Sequence, residues 1–227
     1  MSAKSKSQQR DLPAPRVLGI DVGAPRKGFH AVAMGANLQV EPRHFGDVEA
    51  LRDWALDLQP AAIAIDAPCA WSSEGRSRQA ERELRLDGEK ISCFSTPTEA
   101  VAGDRDFYRW VHHGIGLYRA LEPHFALYRG EGRSQPMLLE TFPHAVACAL
   151  AGKLLRAHPK SPMRRGLLRQ IGIREAELAN IDFVDAALCA VAARAWSEES
   201  FQAFGNPAEG YIVIPKPIDN EVPHPNR

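Results

Sequence analysis

The stretch Val17-Leu18-Gly19-Ile20-Asp21-Val22 decides the fold, because it is an apolar run that carries an acid at its end. A turn rich in glycine, proline and lysine follows at residues 23–28, and Phe29–Met34 is a second apolar run. Turn residues between two such runs predict antiparallel strands joined by a tight reversal. Residues 38–45, after another turn, predict a third strand, so the chain is expected to begin with a three-stranded meander.

The next segments alternate between helix and strand patterns. Asp47 is a good N-cap for an amphipathic helix at residues 47–58, and residues 61–66 are apolar on both faces, as in a central buried strand. A fifth strand is predicted at residues 137–141, followed by helices and a short closing strand. The further helices are predicted at residues 104–128, 143–154, 163–171 and 181–204, and the closing strand at 211–214.

This order predicts an α/β architecture, a mixed five-stranded sheet with helices on both faces. The first, fourth and fifth strands are expected to be the parallel, buried set. We expect one domain over residues 16–215, with a largely helical insertion at about 71–135 that overhangs the strand ends. Residues 1–15 and 216–227 are expected to be tails, the first of them disordered.

Composition narrows the class of protein. The 28 basic and 28 acidic side chains cancel, so nucleic acid is expected to be bound by a local patch and not by a uniform basic field. Secretory signal and membrane span are both absent from the sequence pattern. The cysteines are far apart, which favours free thiols in a reducing compartment, and we expect a cytoplasmic protein. They are Cys69, Cys93, Cys148 and Cys189.

Acids at the ends of apolar runs are the main functional signal. Asp21, Asp66 and Glu140 each end a predicted strand, and Asp182 and Asp185 share one face of the late helix. A carboxylate at the end of a buried strand is costly to desolvate, and several that converge favour a divalent cation. Taken singly, each acid is better explained as an ordinary turn residue or helix cap. Together they predict a phosphodiester-cleaving site that uses Mg²⁺ or Mn²⁺.

At this point the sequence resembles an uncharacterised bacterial and archaeal family of predicted nucleases with an RNase H-like fold. The motifs that carry the resemblance run in order from residue 16 to residue 215. They are Gly19-Ile20-Asp21-Val22-Gly23 with Lys27-Gly28, Ile65-Asp66-Ala67-Pro68, Arg82-Glu83-Leu84-Arg85, Glu140-Thr141-Phe142-Pro143, Asp182-Phe183-Val184-Asp185-Ala186 and Glu209-Gly210-Tyr211-Ile212-Val213-Ile214-Pro215.

The resemblance implies roles for these residues. The Asp182–Ala186 motif is similar to the catalytic helix of Holliday-junction resolvases, which share the fold. By this likeness, Asp21, Asp66 and Asp185 are catalytic metal ligands and Asp182 is a fourth ligand. Glu140 is a ligand only by the nuclease family's own motif.

Basic residues supply candidates for substrate binding. Seven of them and no acid lie in residues 153–174, which would place Arg164 and Arg165 near phosphates of the substrate. A solvated basic surface explains this segment equally well. The family motifs add Lys27, Arg82 and Arg85, although interleaved acids make surface salt bridges a simple explanation for the last two.

Three functions remain open from the sequence. The first is a metal-dependent nuclease that acts on DNA or RNA. The second is a nucleotide-phosphate-binding protein of the actin or sugar-kinase type, because the Asp21 strand and hairpin also resemble a first phosphate loop. The third is a non-catalytic binding protein that keeps the RNase H-like fold. The sequence does not decide the oligomeric state.

Overall fold

The protein is described from a computed structural model, which describes residues 16–132 and 136–217. Residues 1–15, and all but the first two residues of the predicted C-terminal tail, lie outside that range, so the prediction of tails stays a prediction. The strands are β1 (Val17–Val22), β2 (Phe29–Met34), β3 (Val40–Phe45), β4 (Ala62–Asp66), β5 (Arg85–Leu86), β6 (Glu89–Lys90), β7 (Ala126–Leu127), β8 (Met137–Glu140), β9 (Phe201–Asn206) and β10 (Gly210–Pro215).

Helices connect the strands and cover the sheet. They are α1 (Val48–Leu58), α2 (Gln79–Glu83), α3 (Glu99–Ala102), α4 (Arg109–Leu121), α5 (Pro143–Ala151), α6 (Lys160–Gln170) and α7 (Ile181–Ser197), with 3₁₀ turns at Asp106–Tyr108 and Glu175–Glu177. The cap of α1 is the predicted one, since the Asp47 carboxylate accepts a hydrogen bond from the backbone N–H of Ala50 at 2.8 Å. Such a cap satisfies a donor that the first helical turn leaves open.

The main sheet is mixed, as predicted. In the described ranges its order is β3-β2-β1-β4-β8-β10-β9, with β7 also paired to β8, while β5 and β6 form a separate hairpin. The meander β1–β2–β3 is antiparallel, and β1, β4 and β8 are parallel. These are the five strands predicted for the sheet, β10 is the predicted closing strand, and β7 and β9 were not predicted.

Helices lie on both faces of the sheet, which confirms that prediction. On one face, α5, α6 and α7 enclose a core with the inward side chains of β1, β4 and β8. On the other face, α1 and α4 enclose a second core. Leu117, Tyr118 and Leu121 of α4 are fully buried there, so the predicted insertion contributes a helix to a central layer.

Two of the predicted helices are too long. The helix predicted at residues 181–204 ends at Ser197, and residues 201–206 form β9, which pairs antiparallel with β10. Glu199 has a φ of 59°, which breaks the helix between the two elements. The helix predicted at residues 104–128 is confined to α4 and the 3₁₀ turn before it.

Glycine at position 19 allows α7 to lie directly against the sheet. A Cβ placed on Gly19 would be 2.0 Å from the carbonyl oxygen of Ala186 and 2.1 Å from the backbone nitrogen of Ala190. Both contacts are with helix backbone, which cannot rotate away. The absence of a side chain at residue 19 therefore sets how closely the N-terminal half of α7 approaches β1.

All four cysteines are free thiols, three of them buried. In the described ranges, no helix has the length and apolar character that a bilayer span requires.

Candidate active site

Asp21 and Asp66 form the centre of the site. They lie near the ends of β1 and β4, and the parallel pairing of these strands sets the two residues side by side in register. Residues in register on neighbouring parallel strands point to the same face of a sheet. That face is the one covered by α7, because Val17, Ala62 and Ala64, two or four residues earlier, pack in the α7 core.

The late helix brings two further acids to this place. Asn180 caps α7, with its side chain accepting from the backbone N–H of Phe183 at 3.0 Å. Asp182 and Asp185 follow in the first turns, three residues apart and on one face. Because α7 rests on Gly19, its first turns lie over the end of β1, where Asp21 stands.

The electrostatics show that these carboxylates act on one another. Burial, then repulsion from Asp185 and Asp182, raises the pKa of Asp21 from 3.8 to about 7, against the attraction of Lys27 and Lys160. Burial, then repulsion from Asp21 and Asp185, raises the pKa of Asp66 well above its usual value. Desolvation and like charge are the two standard causes of such a rise. The four aspartates thus form one electrostatic group.

Asp185 is held by two cations from α6. Its carboxylate is buried and pairs with the guanidinium of Arg164, which is itself buried. The Nζ of Lys160 lies 3.2 Å from the other carboxylate oxygen. Arg164 was predicted to bind substrate, and the structure places it at the site through this ion pair.

Asp182 lies at the outer side of the group. Its Oδ1 is 2.7 Å from Nζ of Lys27, and its Oδ2 is 3.9 Å from Nε2 of His30. His30 is buried, stands opposite Asp21 in the β1–β2 register, and has no hydrogen-bond partner at Nδ1 within the described residues. Burial lowers the pKa of His30, against the attraction of Asp182.

Glu140 is placed differently from the other acids. It ends β8 in register with Ile65, whose side chain packs in the α1–α4 core, so Glu140 points to the opposite face from Asp66. Both of its oxygens bind the guanidinium of the fully buried Arg78, and one of them also accepts from the backbone N–H of Cys69 at 2.8 Å. Glu140 and Asp66 line one small cavity, but within the described residues the Glu140 carboxylate is bound by Arg78 and Cys69 and by none of the four aspartates.

The remaining predicted substrate residues lie in other surroundings. Arg82 and Arg85 are exposed and donate to backbone carbonyls of Ser77 and Glu83. The guanidinium of Arg165 donates to the carbonyls of Glu175 and Leu178, each at 2.8 Å, and so fastens the segment after α6. None of these contacts joins the aspartate group.

Two residues of the site were not among the predicted site residues. Lys160 was counted only as part of the basic segment, and nothing in its sequence context distinguishes it from its basic neighbours. His30 had a usable signal, because the hairpin between β1 and β2 sets it directly across from Asp21. A prediction of strand register would have found His30.

The donor chemistry of Asp21 and Asp66 suits a divalent cation. Within residues 16–132 and 136–217, no donor side chain or backbone N–H bonds the carboxylate of Asp21 or Asp66, so their charge is left to a solvent ion or a proton. In the same ranges, no three His, Cys, Asp or Glu side chains are arranged to hold a metal ion by themselves. Mg²⁺ keeps several waters and needs only one or two carboxylates, so Asp21 and Asp66 meet its requirement.

Comparison with known proteins assigns the family. A family model described as "Protein of unknown function (DUF429)" matches residues 19–210. The chain belongs to this family. The match covers all four aspartates of the site. A comparison with curated protein sequences gives no match.

Two solved structures are similar to this DUF429 chain. One is the Thermus thermophilus RuvC structure, at 17% identity and a TM-score of 0.40, and the other is T. thermophilus RuvC in complex with a Holliday junction substrate, at 16% and 0.41. Each match covers 81% of this chain and 96% of the other. The fold is RNase H-like, as the motifs predicted: an antiparallel meander, then parallel strands, with helices on both faces. Likeness at this level is no basis for transferring a substrate or residue roles.

Proposed function

We propose that the protein is a nuclease that cleaves phosphodiester bonds of DNA or RNA with the help of Mg²⁺ or Mn²⁺. The observation that carries the proposal is the paired placement of Asp21 and Asp66 at the ends of adjacent parallel strands, with Asp185 from α7 acting on both. Their raised pKa values mean that ionised carboxylates in this group require added positive charge.

Each acid has a distinct place in the proposed site. Asp21 and Asp66 would hold the ion directly, and Asp185 and Asp182 would add negative charge from the helix side. We leave Glu140 outside the ligand set, because Arg78 already neutralises it on the other face. A bound divalent ion supplies an activated water and offsets the charge that develops on the leaving oxygen.

The protein's own cations complete the proposal. Lys27, Lys160 and Arg164 surround the aspartates and lower their repulsion. Lys27 is about half exposed, and Lys160 is also accessible, so both can meet a phosphate group from solvent. Phosphates are the groups that position a nucleic acid on a protein.

The test is metal-dependent cleavage. Labelled single-stranded, duplex and branched DNA, and RNA, are incubated with the full chain in EDTA, Mg²⁺ or Mn²⁺. Cleavage is expected only with metal, and Asp21→Asn and Asp66→Asn are expected to lower it at least about a hundredfold. Asp53→Asn, an exposed change on α1, is the matched control and should cleave as the wild type does. Full activity of the two site variants would refute the proposal.

A non-catalytic nucleic-acid-binding protein is the second candidate. The ion pairs of Asp185 with Arg164 and Lys160 favour it, because they neutralise one acid without metal. In that case calorimetry with Mn²⁺ would show no binding heat, and oligonucleotide binding would be unchanged by EDTA. Binding heat that disappears in Asp66→Asn would exclude this candidate.

A further inference from the structure

A basic cavity lies directly beside the candidate active site. It has a volume of about 460 Å³ and opens between the β5–β6 hairpin, α5 and the start of α6. We call it the α6 cavity and define it by its ionisable lining residues, which are Lys90, His144, His158, Lys160 and Arg164. Among the described residues that line it, none is acidic, which makes it a local basic patch in a chain of zero formal net charge.

The cavity and the aspartate group share two residues. Lys160 and Arg164 line the cavity and also contact the carboxylate of Asp185. A group bound in the cavity would therefore lie one side chain away from the acids. The two places are therefore connected through these two side chains.

Buried polar atoms at the cavity lack partners. Arg164 is 6% exposed, yet its Nε has no hydrogen-bond partner in the described structure. Nδ1 of His144 is also buried and has no hydrogen-bond partner in the described structure. A buried polar atom left unpaired is unfavourable, so each of these nitrogens calls for a ligand or an ordered water.

The start of α6 adds a further attraction for an anion. Residues 157, 158 and 160 line the cavity at the N-terminus of this 11-residue helix. No side chain described in the structure caps this turn, and the turn contains no acid. Pro159 and Pro162 have no N–H, so this turn offers the open N–H groups of Lys160 and Ser161 together with the helix dipole, and both favour negative charge.

We propose that the α6 cavity binds a phosphate of the nucleic-acid strand, next to the phosphodiester that meets Asp21 and Asp66. The inference rests on the proposed function for its ligand, and it adds the place where the strand is held. Lys90 and His158 contact the phosphate from the open side, and Lys160 and Arg164 contact it from the side of the acids. Phe142 and Leu154, which also line the cavity, offer apolar surface to the adjoining sugar or base.

The experiment measures binding separately from cleavage. Fluorescence anisotropy with a labelled single-stranded oligonucleotide is recorded in EDTA from about 50 to 200 mM salt, and inorganic phosphate is used as competitor. Lys90→Gln should lose one phosphate contact, and its affinity should therefore depend less on salt. Raising the salt from about 50 to 200 mM should weaken binding by about threefold less in Lys90→Gln than in the wild type. Lys90→Arg should restore the phosphate contact and the wild-type salt dependence. Lys153→Gln removes an exposed lysine outside the cavity and is the matched control.

The outcomes separate this inference from the proposed nuclease. If Lys90→Gln binds oligonucleotide and phosphate as Lys153→Gln does, the cavity is not a phosphate site, whether or not the wild type cleaves. Absence of any oligonucleotide or phosphate binding at low salt also overturns the inference. If oligonucleotide binding depends on Lys90 but the wild type cleaves nothing with any metal, the α6 cavity is supported as a phosphate site. The same result refutes the proposed nuclease activity.

Discussion

Removing the charge of Asp21 should stabilise the metal-free protein at alkaline pH. The pKa of Asp21 rises from 3.8 to about 7 on folding, mainly through burial and then through repulsion from Asp185 and Asp182. Asp21→Asn keeps the shape of the side chain but cannot ionise. The variant therefore avoids placing a third negative charge beside Asp66 and Asp185.

The size of the effect follows from the shift. About three pKa units at 1.36 kcal/mol each amount to about 4 kcal/mol, which is an upper bound. Because the carboxylate is partly exposed and solvent screens it, we expect a gain of about 2 kcal/mol near pH 8. A raised carboxyl pKa gives stability that is complete below 3.8 and is lost as the pH rises from 3.8 to about 7. The gain should therefore shrink to less than half near pH 5.

The assay is urea unfolding of wild type and Asp21→Asn in EDTA at the two pH values. Asp53→Asn, exposed on α1 and paired with its neighbour Arg52, is the control and should change stability by less than about 0.5 kcal/mol at either pH. The reasoning fails if Asp21→Asn is no more stable than wild type near pH 8, or if its gain is the same at both pH values. Added Mn²⁺ should reverse the order near pH 8, because only the wild type keeps the full acid pair.

Three other perturbations test the frame around the site. Gly19→Ala should lower the free energy of unfolding by more than about 3 kcal/mol or prevent folding, because its Cβ meets the backbone of α7. Urea unfolding measures this effect. Gly116→Ala is the control, because a Cβ at residue 116 meets open space and should stabilise α4 by up to about 1 kcal/mol. Glu140→Gln should cost about 1–3 kcal/mol, since it removes one of the two carboxylates that pair with the buried Arg78 and leaves Glu81, but in calorimetry it should not change Mn²⁺ affinity. Burial alone would raise the pKa of Glu209, but hydrogen bonds from the Gln79 N–H and from Ser73 hold it at about 2. Wild type should therefore exceed Glu209→Gln in stability at neutral pH, and a pH series of unfolding curves should show this advantage declining below pH 4.5 towards 2.

The sheet and the central acids could be predicted because their signals are local and repeated. Apolar runs, turn residues and chain order were enough to place Asp21 and Asp66 on parallel neighbouring strands. Helical spacing was enough to place Asp182 and Asp185 on one face. In each case a short-range pattern carries the three-dimensional relation.

Short-range patterns were not enough to predict the sheet face that Glu140 takes. Residues 137–139 are all apolar, so the strand has no alternation that tells which face its last residue takes. That face depends on register with Ile65, a contact between residues 75 positions apart along the chain. The buried partner, Arg78, comes from a third segment and looks like one more surface charge in the sequence.

At the end of α7 and in the basic segment, too, short-range sequence patterns do not determine the structure. Residues 201–204 continue an apolar helical spacing, but their pairing with β10 outweighs it, and only tertiary contact supplies that pairing. Within α6, Arg164 and Arg165 are neighbours in sequence with different partners. One binds Asp185 and the other binds loop carbonyls, because adjacent residues on a helix point about 100° apart.

The contact at Gly19 constrains how this chain can change over evolutionary time. Residue 19 and the backbone around Ala186 and Ala190 occupy the same space, so a side chain gained at residue 19 requires the helix to retreat from the sheet. Such a retreat would pull Asp185 away from Asp21 and Asp66. A side chain at residue 19 is therefore expected to be tolerated only together with a compensating change in α7.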